Sequence, residues 1–268
     1  MIDLSLFMPG LEAVAREAGD IAMAWFRSGE RTSASVDYKT GGSPVTEADF
    51  AVDRFLFGKL AALAPSAGWL SEETADSADR LSRSALIVVD PIDGTTAFVR
   101  GDRRWAVSIA LIEDGRPVAG IVHAPALGQT FSARAGGGAF LNGERIRVSP
   151  RAELAGARLV SPRDRAPFFE KSPYVFEIAP RAPSLALRLA EVAAGTNDLA
   201  IAAPGARDWD IAAADVILNE AGGLLSEVES GPPTYNRATS RREALIAAPL
   251  ALFDESLALA KAAMKGKL

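Results

Sequence analysis

Residues 86–101, LIVVDPIDGTTAFVRG, restrict the possible folds more than any other part of the chain. The apolar run 86–89 reads as a buried strand. It stops abruptly at Asp90, and a second carboxylate, Asp93, follows three residues later with Gly94, Thr95 and Thr96 directly behind it. A buried strand that delivers hard oxygen ligands and a phosphate-sized backbone loop at its C-terminal end suits Mg²⁺-assisted phosphoryl chemistry. The plain alternative is an Asp/Gly turn after a strand.

What the chain lacks narrows the chemistry. It has no cysteine, which excludes disulfides and thiolate metal sites. A single histidine, His123, rules out a His-rich zinc or iron site, and a nucleophilic triad that needs an imidazole must use that residue. Metal chemistry here must rest on oxygen ligands. With 268 residues the chain can bury a core as one large domain or two small ones. Its formal charge of −5 argues against a general nucleic-acid surface. The start, MIDLSLFMPG, has neither the basic region nor the long apolar region of a secretory signal. No apolar run approaches the roughly 18 residues of a membrane span. These features predict a cytoplasmic enzyme with no membrane segment.

Along the chain, residues 11–26 carry a helical apolar stripe, and 46–63 read as a second amphipathic helix opened by TEAD. The predicted strand 85–89 leads into the DPIDGTT loop. Residues 105–148 then resemble an antiparallel meander, with strands at 105–112, 118–123 and 129–133 and a hairpin turn at Asn142-Gly143. The glycine run 136–138 reads as a turn, since it leads into that hairpin and not into a helix. After Pro150 short strands (158–160, 174–178) alternate with helices near 184–194, 210–221 and 250–264, the pattern of an α/β unit with some parallel pairing. A division into residues 1–150 and 151–268 follows from this change.

Four acidic clusters stand where helices or strands end: Glu47 with Asp49, Glu72 with Glu73, Asp90 with Asp93, and Asp208 with Asp210. Each has a structural explanation. Thr46-x-x-Asp49 is a capping-box pattern, Glu72-Glu73 fits an exposed loop, and Asp208 or Asp210 can cap a helix that ends at Gly222. Taken together, without histidine chemistry, they point to a metal site. Converging carboxylates repel one another and raise each other's pKa values, and bound Mg²⁺ reverses that penalty. Neutralising Asp49, Glu72, Asp90, Asp93 and Asp210 brings the formal charge from −5 to about zero, so an acidic protein can accept an anionic substrate.

The motifs SPVTEAD (43–49), LSEET (70–74), VVDPIDGTTAF (88–98) and WDIAAADVILNEAGG (209–223) resemble those of the inositol monophosphatase superfamily of Mg²⁺-dependent, lithium-sensitive phosphatases over nearly the full length. The resemblance implies a five-layer αβαβα sandwich, in which an N-terminal α+β half and a C-terminal α/β half enclose the active site. It implies that Glu72, Asp90, Asp93, Asp210 and the Ile92 carbonyl hold two Mg²⁺ ions, and that Asp49 binds a third with Glu72. Backbone amides at Gly94, Thr95 and Thr96 would cradle the phosphate. Thr95 with Glu72 would activate a water for in-line attack on the phosphorus. The partner implied is a small phosphorylated metabolite, and family members are commonly homodimers.

Three functions follow as expectations. The first is hydrolysis of an inositol-1-phosphate-type monoester, consistent with Thr96. Against it, the glutamate that meets a ring hydroxyl in the family's inositol phosphatases is replaced here by Ala203. The second is a 3′(2′),5′-bisphosphate nucleotidase or a histidinol phosphatase, which SPVTEAD resembles. Arg207 and the group Arg100, Arg103 and Arg104 are candidates to reach a second phosphate. The third is a non-catalytic, transcription-associated regulator. Lys39 stands near the family's position for a lysine beside the site.

Overall fold

The structure is a computed structural model and describes residues 2–172 and 174–266. Two helices open it, α1 (Leu4–Met23) and α2 (Glu47–Leu63), with a short hairpin of β1 (Val36–Tyr38) and β2 (Pro44–Thr46) between them. A seven-stranded sheet follows in chain order: β3 (Gly68–Ser71), β4 (Ala85–Asp93), β5 (Ala106–Glu113), β6 (Arg116–Ala124), β7 (Gln129–Arg134), β8 (Gly138–Leu141) and β9 (Glu144–Ile146). A six-residue helix, α3 (Thr95–Arg100), leaves the end of β4. Only β3 and β4 pair in parallel in this sheet; the other neighbours form an antiparallel meander.

The rest of the chain supplies β10 (Arg158–Val160), α4 (Ala166–Glu170), β11 (Glu177–Ile178), α5 (Leu185–Ala193), β12 (Leu199–Ala202), α6 (Asp208–Glu220), β13 (Gly223–Glu227), β14 (Leu245–Pro249) and α7 (Phe253–Lys265). Its strands form a five-stranded mixed sheet in the order β11-β10-β12-β14-β13. The expected parallel pairing is the pairing of β10 with β11 and β12. No described helix is long and apolar enough to cross a membrane.

Side-chain alternation along the strands generates five layers. In β5, Val107, Ile109 and Leu111 pack with α1 and α2, whereas Ala106, Ala110 and Ile112 join the core that contains α5 and α6. In β12 and β14, Ala200, Ala202, Leu245 and Ala247 face that same middle core. Leu199, Ile201, Ile246 and Ala248 face an outer core with α7. The order is therefore helices, sheet, helices, sheet, helices. Both sheets cover α5 and α6, so the charged side chains these helices bury, Arg188, Asp208 and Asp215 among them, must find partners inside the molecule. Gly120 on β6 lets α6 come close: a Cβ there would stand 2.6 Å from the Ala213 carbonyl oxygen.

Several elements differ from the sequence expectation. Helix α1 begins at Leu4, capped by Asp3, and runs through Pro9, because burial of Phe7 and Leu11 outweighs the missing N–H. Strand β4 continues through Asp93 and does not end at residue 89. The strand expected at 174–178 shortens to Glu177–Ile178. Neither Asp208 nor Asp210 is the N-cap of α6; Arg207 occupies that place, and Asp208 is buried against Arg242, 2.6 Å away. His123 is buried beside Gly19, with Nδ1 2.9 Å from the Thr130 hydroxyl, and burial pushes its pKa down to about 4. A neutral, enclosed imidazole of this kind packs the interior.

Candidate active site

β4 runs between β3 and β5 with every residue buried. Its pairing to β5 slips between Asp90 and Asp93, where Pro91 has no N–H for the ladder. Asp90 closes the irregular turn by accepting the Ile92 N–H at 3.0 Å. Gly94 then adopts φ +92°, and a Cβ there would press on the Ser184 backbone at 3.1 Å, so the sharp exit into α3 requires glycine. The first N–H groups of α3 have no partner within the helix. Gly94, Thr95 and Thr96 line a cavity of about 380 Å³ together with Glu72, Asp90, Asp93 and Asp210.

Asp210 enters from the first turn of α6, where its Oδ2 accepts the Arg207 N–H at 2.7 Å. Oxygens of Asp90, Asp93 and Asp210 all lie within 4.8 Å of one another. Burial, followed by repulsion from Glu72 and the other two carboxylates, drives the Asp90 pKa well above its ordinary value. Asp210 is raised by burial and then by Asp93. Burial also raises Asp93, although Ser184 and Ala186 oppose it by hydrogen bonding. Three crowded carboxylates with no nitrogen or sulfur donor fit a hard divalent cation, which would remove the charge penalty they impose on each other.

Asp49 and Ile92 stand behind Thr95 and do not line the cavity themselves. The capping box is present: Asp49 Oδ2 accepts from the Thr46 N–H at 2.8 Å and from its hydroxyl at 2.6 Å. Its other oxygen lies 3.2 Å from the Thr95 hydroxyl, which is also 3.1 Å from the Ile92 carbonyl. One carboxylate thus satisfies both the capping reading and the site reading. Burial pushes its pKa up to about 6.

Glu72 lines the cavity but lies outside the three-carboxylate group, because Lys39 Nζ holds its Oε1 at 2.8 Å and Glu73 Oε1 at 2.7 Å. Burial raises Glu73 to about 7 against the pull of Lys39. Asp53 accepts the hydroxyls of Ser71 and Thr74, pinning both ends of the segment that carries the two glutamates.

The other site contacts come from elements distant in the chain. Asp93 Oδ2 accepts from the Ser184 hydroxyl and the Ala186 N–H, each at 2.6 Å, at the start of α5. The only sequence signal for this was a serine in front of an apolar helix. Of the arginines expected near a second phosphate, Arg100 lines the cavity. Arg103 donates to the Ala126 carbonyl, Arg104 pairs with Asp102, and Arg207 lies over the Trp209 ring. Arg163 and Arg181 line the cavity instead. A larger cavity of about 460 Å³ lies elsewhere, beside Asp215 and Glu220. Both carboxylates are already engaged, Asp215 by the Tyr235 hydroxyl and Glu220 by the N–H groups of Gly136 and Gly138.

Residues 5–263 match the inositol monophosphatase family. The 3′(2′),5′-bisphosphate nucleotidase CysQ of Aggregatibacter actinomycetemcomitans is 31% identical over 85% of this chain and 86% of its own. The histidinol-phosphatase of Mycobacterium tuberculosis is 39% identical over 74% and 80% of the two chains. The solved structure of the Thermotoga maritima IMPase superposes with a TM-score of 0.80 at 30% identity, covering 95% of this chain and 96% of that one.

Proposed function

The chain belongs to the inositol monophosphatase family, and from that premise we propose that it is a Mg²⁺-dependent phosphomonoesterase acting on a small phosphorylated metabolite. The observation that carries the proposal is the meeting of Asp90, Asp93 and Asp210 within 4.8 Å beside the Gly94–Thr96 turn. In this reading Asp90, Asp93, Asp210, Glu72 and the Ile92 carbonyl hold two Mg²⁺ ions, and Asp49 contributes to a third. When bound, the cations neutralise the carboxylates and stabilise charge on the phosphoryl oxygens.

The chain's own groups do the rest. Amides at Gly94, Thr95 and Thr96 hold the nonbridging oxygens and align the phosphorus for in-line attack. The Thr95 hydroxyl, 3.2 Å from Asp49, accepts a proton from the attacking water as it passes its own to that carboxylate. Glu72 orients the same water once Lys39 releases it. The phosphorus–oxygen bond to the leaving group breaks on the Asp93 and Asp210 side, and the departing oxygen takes its proton from solvent water to leave as the alcohol.

An inositol-1-phosphate-type monoester is one substrate of this class. The protein's relatives above add the substrates of a nucleotidase and of a histidinol phosphatase. Phosphate release from inositol 1-phosphate, adenosine 3′,5′-bisphosphate and histidinol phosphate, with Mg²⁺ and after chelation, tests the proposal. Activity on at least one substrate, abolished by chelation, is expected. Asp93→Asn should lower turnover by orders of magnitude while melting like the parent. Activity that survives chelation, or near-normal turnover of Asp93→Asn, refutes the metal-dependent mechanism.

A further inference from the structure

A groove of about 330 Å³ leads away from the carboxylates, lined by Arg188 of α5, Ala202 of β12 and the loop 203–206. It shares Asp93, Arg181, Pro183 and Asp210 with the cavity that contains Gly94–Thr96, so the two form one cleft. A substrate whose reacting phosphate sits at the start of α3 lays its leaving group along this groove.

The charge of the cleft is unusual for a site that accepts a neutral leaving group. Arg163 lines the cavity, Arg188 lines the groove, and Arg181 lines both. None of the three makes an ion pair among the described residues. Arg188 is only 4% exposed, and its Nε donates to the Ser184 carbonyl at 3.2 Å. A guanidinium enclosed in this way without a carboxylate against it is unfavourable until an anion arrives. Its partial compensation is the field of Asp93 and Asp210, which a bound cation would take over. Burial lowers the Arg188 pKa to about 10, which leaves it charged at neutral pH. Arg163 and Arg181 line the same opening, and partial burial together with the charge of Arg163 lowers the Arg181 pKa. The facing wall, Ala203, Pro204, Gly205 and Ala206, offers no side-chain acceptor for a hydroxyl.

We infer that the leaving group carries a second phosphate, which Arg181 and Arg188 bind in the groove with Arg163 at its mouth. The inference rests on the phosphatase reading and specifies its substrate class. Guanidinium groups grip a phosphate through paired, charge-assisted hydrogen bonds. The second phosphate is bound and not cleaved; the water attacks only the phosphate at Gly94–Thr96.

The test uses matched substrates that differ only in the second phosphate. Adenosine 3′,5′-bisphosphate is compared with adenosine 3′-monophosphate, and fructose 1,6-bisphosphate with fructose 1-phosphate. For at least one pair, kcat/KM should favour the bisphosphate by about tenfold or more, mainly through KM. Arg181→Ala should lower that preference roughly 10- to 100-fold, as should Arg188→Met, and Arg188→Lys should restore part of it. Arg181 is exposed, so its variant keeps the experiment informative even if Arg188→Met does not fold. Equal kcat/KM within both pairs, or a preference unchanged in Arg181→Ala, overturns the inference and leaves the phosphatase reading intact. Release of phosphate from none of these substrates or from inositol 1-phosphate, with Mg²⁺ present, removes both.

Discussion

Gly120→Ala tests whether the middle layer sets the geometry of the carboxylates. The added Cβ would lie 2.6 Å from the Ala213 carbonyl oxygen, 2.9 Å from Ala213 Cα and 2.7 Å from Val216 Cγ1. The Val216 side chain can rotate, but Ala213 presents backbone. Ordinary contact begins near 3.4 Å, so α6 must retreat from β6 by about 0.8 Å. Overpacking of this kind costs about 1–3 kcal/mol. In a chain of this length that lowers the melting temperature by roughly 3–10 °C. Ala213 lies less than one turn from Asp210, so the retreat also moves Asp210 relative to Asp90 and Asp93. A displacement approaching 1 Å at a catalytic constellation costs about 100-fold in rate. Thermal melts and Mg²⁺-dependent phosphate release, measured on the same preparation, should therefore fall together. Gly58→Ala is the control: it is exposed on α2 with nothing within 4 Å of an added Cβ. It should raise stability by about 0.5–1 kcal/mol and leave turnover unchanged. A Gly120→Ala protein with parental melting temperature and turnover would refute the claim that this contact positions Asp210.

Three further outcomes are expected. Ser184→Ala loses both the N-cap bond to the Leu187 N–H and the bond to Asp93, so about 1 kcal/mol of stability should go and half-maximal activity should need about tenfold more Mg²⁺; an unchanged Mg²⁺ titration would sink that role. Arg242→Met leaves Asp208 buried without its cation and Glu227 with Arg237 alone, and should cost about 3–5 kcal/mol in urea unfolding, a figure that a loss below about 1 kcal/mol would contradict. Burial raises the Asp215 pKa from 3.8 to about 7, so its folded form keeps a proton that the unfolded chain has released. Stability from this group is fully present below about pH 4 and is lost as pH rises through about 7. Between pH 5 and 8 the metal-free parent should therefore lose up to about 3 kcal/mol more than Asp215→Asn, and parallel pH profiles would exclude the effect.

The sequence announced the chemistry more clearly than the contacts. The run of apolar residues into Asp90 and Asp93 was legible because a buried strand and its exit are local patterns. Four of the five expected carboxylates lie where helices or strands begin or end, and Asp90 stands at the slip within β4, which is why each also looked like a cap or a loop. Asp49 shows that such readings need not compete, since its two oxygens serve Thr46 and Thr95 separately. Other features were not legible. Glu72 is engaged by Lys39, a residue 33 positions earlier, and Asp93 by Ser184, 91 positions later. Sequence spacing has no bearing on such pairs, because loop closure over those lengths depends on which faces the sheets bury. The arginines illustrate the same limit. Arg103 and Arg104 looked available by composition but are taken up by the Ala126 carbonyl and by Asp102, whereas Arg188 sits inside an apolar helix pattern that gives no hint of a charged groove.

The chain by itself determined the kind of chemistry. Without cysteine and with a single histidine, any metal must sit among oxygens, and the alternation of its strands sorted residues into layers. Only the tertiary structure decided which carboxylates stand within 4.8 Å of one another and which of them is already held by a lysine. The physical reason is that side-chain periodicity is a local property, while the approach of α6 to β4 and β5 depends on close packing across the middle layer. There a single missing Cβ, at Gly120, sets how near the helix comes.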